Sequence, residues 1–247
     1  MTSHAGMTKI ARFNWPWYAL AVAVSVAGLL VIGSGTLSER WVALTVIGLV
    51  VADFWLVASL AVSHYVYDRS AVSRGGWLAG IEPARVRRAA VFHAGEDEAS
   101  GAAIRLLPGA TIDVFDFNDR PDIGSASLER ARARAGSHAR TIAPDGIPFE
   151  DGAFDLGLVV FSAHEIRRPG LRTAFFRELA RVVGPTGRVI VVEHLRDVWN
   201  FLAFGPGAFH FLSRATWVGS FAGAGLAVLR ERSCTPFVRV FELGRHA

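Results

Sequence analysis

Two apolar stretches joined by a helical pattern set the strongest limit on what this chain can fold into. The first, Phe154–Ser162, follows the turn Glu150–Gly152, and the second, Arg188–Val192, follows Gly184–Gly187. Each stretch is nearly continuous in apolar residues, which indicates a strand buried on both faces. Between them, apolar residues recur at helical spacing: Leu171, Phe175, Leu179 and Val182. A strand, a helix and a strand in this order predict a parallel pair with a right-handed crossover.

Polar residues stand at the carboxyl ends of both predicted strands. His164 and Glu165 follow the first strand, and Glu193 and His194 follow the second. In an open parallel sheet, ligands bind just beyond the carboxyl ends of the strands. His164 and Glu165 are therefore the candidate catalytic residues, with His164 as a base because the pKa of imidazole lies near neutrality. An equally supported alternative is that His164 only hydrogen-bonds the neighbouring loop or the pair Glu193 and His194.

The rest of the C-terminal part alternates between strand and helix patterns. Three strands are predicted before the unit described above: Arg88–His93, Thr111–Phe117 and Ala139–Ala143. Helices are predicted at Asp97–Leu107, Ser125–Ala135 and around Ala208–Ala222, and a closing pair of strands at Ala227–Pro236 and Phe237–Gly244. This alternation predicts an α/β domain over residues 89–247 with a doubly wound sheet of seven strands. Residues 69–88, with Gly75, Gly76 and Pro83, are predicted to be a linker with a short helix leading into the domain.

The first 68 residues have a different character. Trp15–Gly35 is uncharged, and Trp41–His64 is apolar except for Asp53. Each run is long enough to cross the hydrocarbon core of a bilayer as a helix, so two transmembrane helices are predicted at about 15–35 and 41–64. The alternatives are a buried helical pair of a soluble protein and, for the first run alone, a cleaved signal peptide.

The basic residues predict the orientation of this hairpin. Lys9 and Arg12 precede it, five arginines between Arg69 and Arg88 follow it, and the turn between the helices carries only Arg40. Both ends are therefore expected in the cytoplasm, in a multi-pass protein of the cell membrane. The single cysteine, Cys234, agrees with a reducing compartment.

Asp53 is the one acid within the two apolar runs. An acid within the bilayer is a candidate functional residue because it is costly there. We favour a hydrogen bond to Ser25 or Thr45 in the hairpin, or a contact across a homodimer of hairpins, over a role in transport.

Net charge and composition limit the class of partner. The formal charge of +4 and the pI near 9.9 come almost wholly from arginine. The arginines at positions 130, 132 and 134 have no interleaved aromatic residues, so nucleic acid is not an expected partner. A basic domain is ordinary beside an anionic leaflet. The spacing of His, Cys and Asp residues predicts no metal site, and no phosphate-binding loop is present.

Five segments, taken in order, resemble the C-terminal half of class I S-adenosylmethionine-dependent methyltransferases. They are PFEDGAFDLGLVV, the His-Glu pair, RELARVV, GPTGR and VIVVEH. The resemblance is to the small-molecule methyltransferase-domain group. It covers about 100 residues well, extends more weakly over Arg88–Arg245, and leaves out the N-terminal region. It implies a Rossmann-like seven-stranded sheet, S-adenosylmethionine as cofactor and a small-molecule acceptor.

The same resemblance implies positions for the cofactor. The loop after the first strand would hold its methionine end, through His93, Ala94, Gly95 and Glu96. Asp116 would bind both ribose hydroxyls and Phe117 would lie against the adenine. The acid that usually reads the adenine amino group aligns with Ala143, so Asp145, or the backbone of Gly146 and Ile147, would replace it.

The loop after the first strand departs from the pattern of the family. Of the usual Gly-x-Gly-x-Gly, only Gly95 and Gly101 remain, around the acidic residues Glu96, Asp97 and Glu98. The acids could hold the ammonium or sulfonium charge of the cofactor. This departure supports a second hypothesis, a catalytically degenerate domain that serves as a membrane-tethered binding or interaction module. A nucleotide-dependent oxidoreductase is a third, disfavoured because Gly-x-Gly-x-x-Gly is lacking.

The segment Trp199–Phe221 suggests the nature of the acceptor. It follows the fifth strand, where the family commonly builds a wall of the acceptor pocket, and it is rich in Trp and Phe. Phe201, Phe204 and Phe209 flank the loop Gly205–Gly207. Either these rings belong to the core of the domain, or they line an entrance for an apolar or lipid-like acceptor delivered from the membrane.

Overall fold

The structure is a computed structural model that describes residues 5–118, residue 123 and residues 139–245. Within these residues the α-helices are α1 (Ala5–Phe13), α2 (Trp15–Gly33), α3 (Glu39–His64), α4 (Ser100–Leu106), α5 (Pro169–Val183), α6 (Val198–Phe204) and α7 (Arg214–Gly223). The strands are β1 (Arg88–His93), β2 (Thr111–Asp116), β3 (Arg140–Thr141), β4 (Leu156–Val160), β5 (Arg188–His194), β6 (Leu226–Thr235) and β7 (Val238–Arg245).

The seven strands form one sheet in the order β3-β2-β1-β4-β5-β7-β6. Strands β1 to β5 pair in parallel, and β7 runs antiparallel to both β5 and β6. The order reverses between β1 and β4, which is where ligands bind in doubly wound sheets. The predicted α/β fold with a seven-stranded Rossmann-like sheet and a closing pair of strands is confirmed.

Both faces of the sheet are covered, as the apolar runs predict. Every residue of β4 is buried. One face packs against α5 and α7 through Phe175, Phe176, Trp217 and Phe221. The other face packs against α4 and the segment after α3, whose Trp77 is only 1% exposed. Helix α5 ends at Gly184, where φ is +74° and a Cβ would approach Gly152 Cα to 2.9 Å, so this turn requires glycine.

Several boundaries differ from the predictions. No α-helix leads into the domain: the described segment 70–87 contains two short 3-10 turns, Gly76–Leu78 and Pro83–Arg85. The left-handed backbone of Gly75 (φ +81°) and the proline prevent a longer helix. The predicted helix Ala208–Ala222 begins only at Arg214, because Gly205–His210 forms a 3-10 turn. Helices α1 and α6 were not predicted, and the predicted helix Ser125–Ala135 lies outside the described residues.

Helices α2 and α3 form an antiparallel hairpin. Both are long and apolar enough to cross a membrane, on length and composition alone. No residue of α2 is buried within the protein. Between the helices, Ser25 donates a hydrogen bond to Asp53 (Oγ to Oδ1, 2.8 Å), which is one of the two partners predicted for this acid. Thr45, the other, donates to the carbonyl oxygen of Trp41.

The hairpin is attached to the domain at the end of α3. One π-helical turn, Tyr65–Arg69, continues the helix, and its Tyr67 hydroxyl lies 3.0 Å from Nε2 of His194 at the end of β5. Asp68, in the same turn, accepts hydrogen bonds from the backbone N–H groups of Gly6 (2.7 Å) and Met7 (2.9 Å). The carboxylate of Asp68 therefore fixes the first turn of α1 beside the end of α3.

We expect Tyr67→Phe to destabilise the protein by ~1–3 kcal/mol, because it leaves the buried Nε2 of His194 without its hydrogen-bond donor. Urea unfolding of the detergent-solubilised protein, followed by near-UV circular dichroism, measures the change. Tyr65→Phe is the matched control, since Tyr65 lies in the same turn and is 44% exposed. Equal midpoints for the two variants would contradict a structural role of this hydrogen bond.

Candidate active site

The parallel strands bring the predicted site residues to one edge of the sheet. His93, the last residue of β1, pairs in register with Asp116, the last residue of β2. Strand β4 pairs with β5 up to Val160 and Val192. The loops after β1, β2, β4 and β5 therefore meet at the same carboxyl edge.

A strained turn directs the chain after β4 into the site. Phe161 has a φ of +51°, the only positive value among the described residues other than glycine. Ser162 donates a hydrogen bond to the carbonyl oxygen of Phe92 at 3.0 Å, which ties this turn to β1. Ala163–Glu165 then form a 3-10 turn. Backbone strain of this kind persists where surrounding contacts impose it, often at functional sites.

His164 lies between two carboxylates. Its Nδ1 is 2.8 Å from Glu193 Oε2, its backbone N–H donates to the other oxygen of Glu193 at 3.3 Å, and its Nε2 is 3.5 Å from Glu165 Oε1. Burial disfavours the charged ring, but the two carboxylates outweigh burial and raise the pKa of His164 to about 10. At neutral pH His164 is therefore an imidazolium that donates hydrogen bonds. The sequence analysis gave His164 either as a base or as a hydrogen-bond partner of Glu193 and His194. The hydrogen bond to Glu193, in β5, is present.

Glu165 is held in its ionised form by two histidines. Burial opposes ionisation, but hydrogen bonds from His164 and His210 lower the pKa of Glu165. His210 is the last residue of the turn Gly205–His210, and its Nε2 lies 3.6 Å from Glu165 Oε1. The sequence analysis missed His210. The only available signal was a single histidine among the aromatic residues after β5.

His164, Glu165 and His210 are close enough together to suggest a metal site. One potential ligand atom from each lies within 4.8 Å of the others. However, Nδ1 and Nε2 of His164 face Glu193 and Glu165, and the guanidinium of Arg167 lies against the ring of His210 and donates to its carbonyl oxygen at 2.6 Å. The arrangement favours an ion-pair cluster over a metal centre.

His194 has the opposite character, although it lies beside Glu193. Its ring is stacked between Phe161 (centroids 5.0 Å apart) and Phe211 (4.9 Å). Nδ1 faces the carbonyl oxygen of Phe237 at 2.9 Å and so carries the proton, which leaves Nε2 to accept from Tyr67. Burial, with the charge of His164, lowers the pKa of His194 to about 4. This neutral ring joins the hairpin to the sheet through its contact with Tyr67.

The loop after β1 already holds an ammonium group. Nζ of Lys9, the single lysine of the chain, lies 2.7 Å from Glu98 Oε1 and also contacts Glu96. Asp97, in contrast, accepts from the backbone N–H groups of Ala99 and Ser100 at 2.9 Å each and opens helix α4. Glu96 and Glu98 thus hold the ammonium group of Lys9 between them.

The other loop residues are arranged as a compact turn. His93 is buried, and its Nδ1 accepts from the backbone N–H of Gly95 at 3.1 Å. Gly95 has a φ of +91°, a conformation that favours glycine. Ala94 is buried beneath the loop. Gly95, which matches a glycine of the family pattern, therefore stands where the backbone requires a positive φ.

Asp116 and Phe117, predicted to contact the ribose and the adenine, are both buried at the end of β2, but Phe117 packs into the hydrophobic core. Asp116 is 3% exposed, and its Oδ1 accepts from the backbone N–H of Asn118 at 2.9 Å. Phe117 is buried in the core, with its ring centroid 4.8 Å from that of Phe175.

Around the turn before β4, the side chain of Asp145 is exposed, and two backbone N–H groups donate hydrogen bonds within the protein. The N–H of Gly146 donates to the carbonyl oxygen of Ala143 at 3.2 Å, and that of Ile147 donates to Glu178 at 2.9 Å. The exposed side chain of Asp145 can be reached by a ligand from solvent.

Comparison with known proteins supports the same fold. Residues 120–191 match the family model described as a methyltransferase domain. The mitomycin 7-O-methyltransferase MmcR superposes with a TM-score of 0.55 at 18% identity, over 100% of this chain and 74% of that one. TnmH gives 0.51 at 17% identity, over 92% and 70%. NcsB1, an O-methyltransferase from neocarzinostatin biosynthesis in complex with S-adenosyl-L-homocysteine and 1,4-dihydroxy-2-naphthoic acid, gives 0.50 at 17% identity, over 80% and 58%. No curated protein matches the sequence.

The charge of His164 leads to a prediction about pH. A folded-state pKa of about 10, above the ordinary ~6.5 of an unfolded histidine, means that the stabilisation by Glu193 is complete below ~pH 6.5 and is lost as the pH rises towards 10. We expect Glu193→Gln to lower the pKa of His164 and so to reduce this loss of stability between pH 6.5 and 10.

Thermal unfolding of the wild type and the variant at both pH values measures the difference. Glu231→Gln, which removes a carboxylate paired with the exposed Arg214, is the control for all other titrating groups. If Glu193→Gln shows the same pH dependence as this control, His164 is not held as an imidazolium by Glu193.

Proposed function

We propose that this chain is a class I S-adenosylmethionine-dependent methyltransferase and that it methylates a small acceptor at the surface of a membrane. The observation that carries the proposal is that two groups of residues lie at the same edge of the sheet, one suited to the cofactor and one to the acceptor. One is an acidic loop that already binds an amine, and the other is a cluster of His164, Glu165 and Glu193.

The residues at the ends of β1 and β2 fit S-adenosylmethionine. Lys9 occupies the place between Glu96 and Glu98 where the amino group of the cofactor would lie, and so acts as its stand-in. The loop His93–Glu96 would hold the methionine end, and Asp116, buried at the end of β2, would accept the two ribose hydroxyls. Asp145 would contact the adenine, beside Gly146 and Ile147. When bound, the cofactor supplies a methyl group on a sulfonium centre.

The charges of the cluster suit a cationic cofactor. The negative charge of the cluster is concentrated on Glu165 and Glu193, which flank the imidazolium of His164, while the guanidinium of Arg167 lies further out, against the ring of His210. A negative cluster that is fixed by hydrogen bonds stabilises a nearby positive sulfonium without reorganising. This supports placing the reactive centre between the loop after β1 and His164.

His164 and Glu165 are assigned to the acceptor. A protonated His164 can exchange its contact with Glu165 for one to an acceptor oxygen, and Glu165, released from that contact, then takes the proton of the acceptor hydroxyl. Glu193 keeps the ring of His164 charged and oriented, and this charge stabilises the acceptor oxygen as it forms its bond to the methyl carbon and the bond from that carbon to the sulfonium breaks. Methyl transfer needs chiefly this alignment of the acceptor with the donor, in a site that excludes water.

An apolar acceptor with a hydroxyl group agrees with the surroundings of this cluster. MmcR and NcsB1, which share the fold, are O-methyltransferases, and NcsB1 was crystallised with a dihydroxynaphthoic acid. In this chain Phe204 and Phe211 stand beside the carboxyl end of β5, and Phe201 contacts Phe209. These aromatic rings support a lipid-like or aromatic acceptor that enters past α6. The hairpin α2–α3 is proposed to anchor the protein in the cell membrane, with the domain and the N-terminus in the cytoplasm.

The second candidate function is a membrane-tethered binding module without catalysis. It is favoured by the loop after β1, where only Gly95 and Gly101 remain of the glycine pattern, and by the occupation of that loop by Lys9.

Calorimetry with S-adenosylhomocysteine separates the two candidates. We expect the wild type to bind and Asp116→Asn to bind at least ~10-fold more weakly, which corresponds to ~1.4 kcal/mol. The amide keeps an oxygen for the N–H of Asn118 but loses the charge that favours two hydroxyl donors. Asp151→Asn, on a side chain 78% exposed at the opposite edge of the sheet, is the control. Absence of binding by the wild type at millimolar ligand would leave the non-catalytic module as the better hypothesis.

Lys9 provides a second test of where the cofactor binds. If the amino group of the cofactor takes the place of the Lys9 ammonium, Lys9→Met should increase the affinity for S-adenosylhomocysteine several-fold, because the two cations no longer compete. Arg12→Met, in the last turn of the same helix, is the matched control. Unchanged or weaker binding by Lys9→Met, with normal binding by the control, would place the amino group elsewhere.

A further inference from the structure

Helix α6 presents large apolar side chains to the outside of the protein. Val198 is 64% exposed, Trp199 56% and Leu202 49%, and Phe209 in the following turn is 64% exposed. We propose that α6 and the turn Gly205–His210 insert into the cytoplasmic leaflet of the membrane beside α3, so that the domain is partly embedded and not only tethered. The inference rests on the membrane anchorage proposed above and specifies how the acceptor reaches the site.

The two faces of α6 differ in the way that membrane insertion requires. Asn200 and Ala203 are buried against the domain. The backbone N–H of Asn200 donates a hydrogen bond to the carboxylate of Asp197, which caps the helix, at 2.9 Å. The outward face carries Val198, Trp199 and Leu202. A surface helix in water has the opposite arrangement, with its apolar stripe facing the core. The outward face of α6 therefore fits an apolar surrounding.

The contact between α6 and α3 gives the depth of insertion. Tyr18 lies opposite Ser59 and Ser25 lies opposite Asp53, so Trp15, where the apolar run of α2 begins, is level with about residue 62 of α3. Trp55, which packs edge-on against Phe201 with centroids 5.6 Å apart, is about seven residues further into the hairpin. At 1.5 Å per residue this is ~10 Å. Amphipathic helices that lie in the membrane interface are buried by about 5–10 Å.

A close approach of the backbone fixes this arrangement. Gly205, which ends α6, has a φ of +55°, and a Cβ at this position would lie 2.5 Å from Cδ2 of Trp55. The turn after α6 is thus packed directly on the α3 indole, and any membrane that surrounds α3 at Trp55 also meets this turn. Charge agrees with this position, because the exposed Arg196 precedes α6 and Arg167 holds the end of the turn at His210, where anionic headgroups would lie.

Insertion at this place brings the bilayer to the active-site cluster. Phe209 is adjacent in sequence to His210, whose ring centroid is 5.3 Å from that of His164. An apolar acceptor could move from the leaflet past Phe209 to His164 without crossing water. The occupant of the outward face of α6 is therefore the phospholipid bilayer, and the access route for the acceptor begins there.

Site-directed spin labelling tests the insertion. In a Cys234→Ser background, single cysteines are introduced as Leu202→Cys, Phe209→Cys and Ile47→Cys, and as Ile104→Cys, which is 61% exposed on α4. The full chain is reconstituted in vesicles of phosphatidylcholine and phosphatidylglycerol, and each label is scored for collisions with oxygen, which partitions into lipid, and with a water-soluble nickel complex. We expect labels 202 and 209 to favour oxygen at a depth of ~5–10 Å, label 47 to lie deeper, and label 104 to favour nickel.

The labels distinguish failure of the insertion from failure of the anchorage. If label 47 is in lipid but labels 202 and 209 are as accessible to nickel as label 104, the domain is only tethered and the proposal is overturned. If label 47 is also accessible to nickel, the hairpin does not span the membrane, and both the anchorage and the insertion are wrong.

Discussion

Two consecutive residues of β5, Glu193 and His194, connect the two halves of this protein. Side chains alternate across a strand, so Glu193 points to the face covered by α5 and α7, and His194 points to the face covered by the end of α3. On the first face Glu193 fixes the ring of His164, and on the second His194 accepts from Tyr67. The register of this one strand therefore positions both the reactive cluster and the hairpin. A shift by one residue would exchange the two side chains and break both connections.

The contrast between the histidines shows how the surroundings decide the role of a residue type. His164 is buried between carboxylates and is charged, with its pKa raised to about 10. His194 is buried between phenyl rings, a carbonyl oxygen and a hydroxyl, and is neutral, with its pKa lowered to about 4. Burial penalises the charged form in both cases; two carboxylates in hydrogen-bond contact outweigh it at His164, whereas at His194 the positive charge of His164 adds to it. The sequence shows two histidines after two strands, but it does not show which one faces acids.

Local patterns predicted the strands of the sheet well and several of the segments that connect them less well. Strands β1, β4 and β5 are buried apolar runs, and their predicted positions differ from the structure by two residues at most. The segment after α3 was predicted to be a linker with a short helix but forms short turns around Gly75 and Pro83. Lys9 and Tyr67 were not predicted at the site, since Lys9 is 89 residues from Glu98 and Tyr67 is 127 residues from His194. Periodicity reports only on neighbours within an element, so contacts of this range are visible only after the sheet has formed.

The attachment of Tyr67 to His194 also has a consequence for how the chain is made. The hairpin is synthesised first, and the partner of Tyr67 follows 127 residues later. During that interval the end of α3 has no sheet to pack against, and its apolar residues, including Val66, remain uncovered. Contacts of such long sequence separation form slowly, and domains fold as units during synthesis. Formation of β5 therefore has to bring His194 onto a hairpin made 127 residues earlier, and errors at this junction act on assembly before they act on the stability of the finished fold.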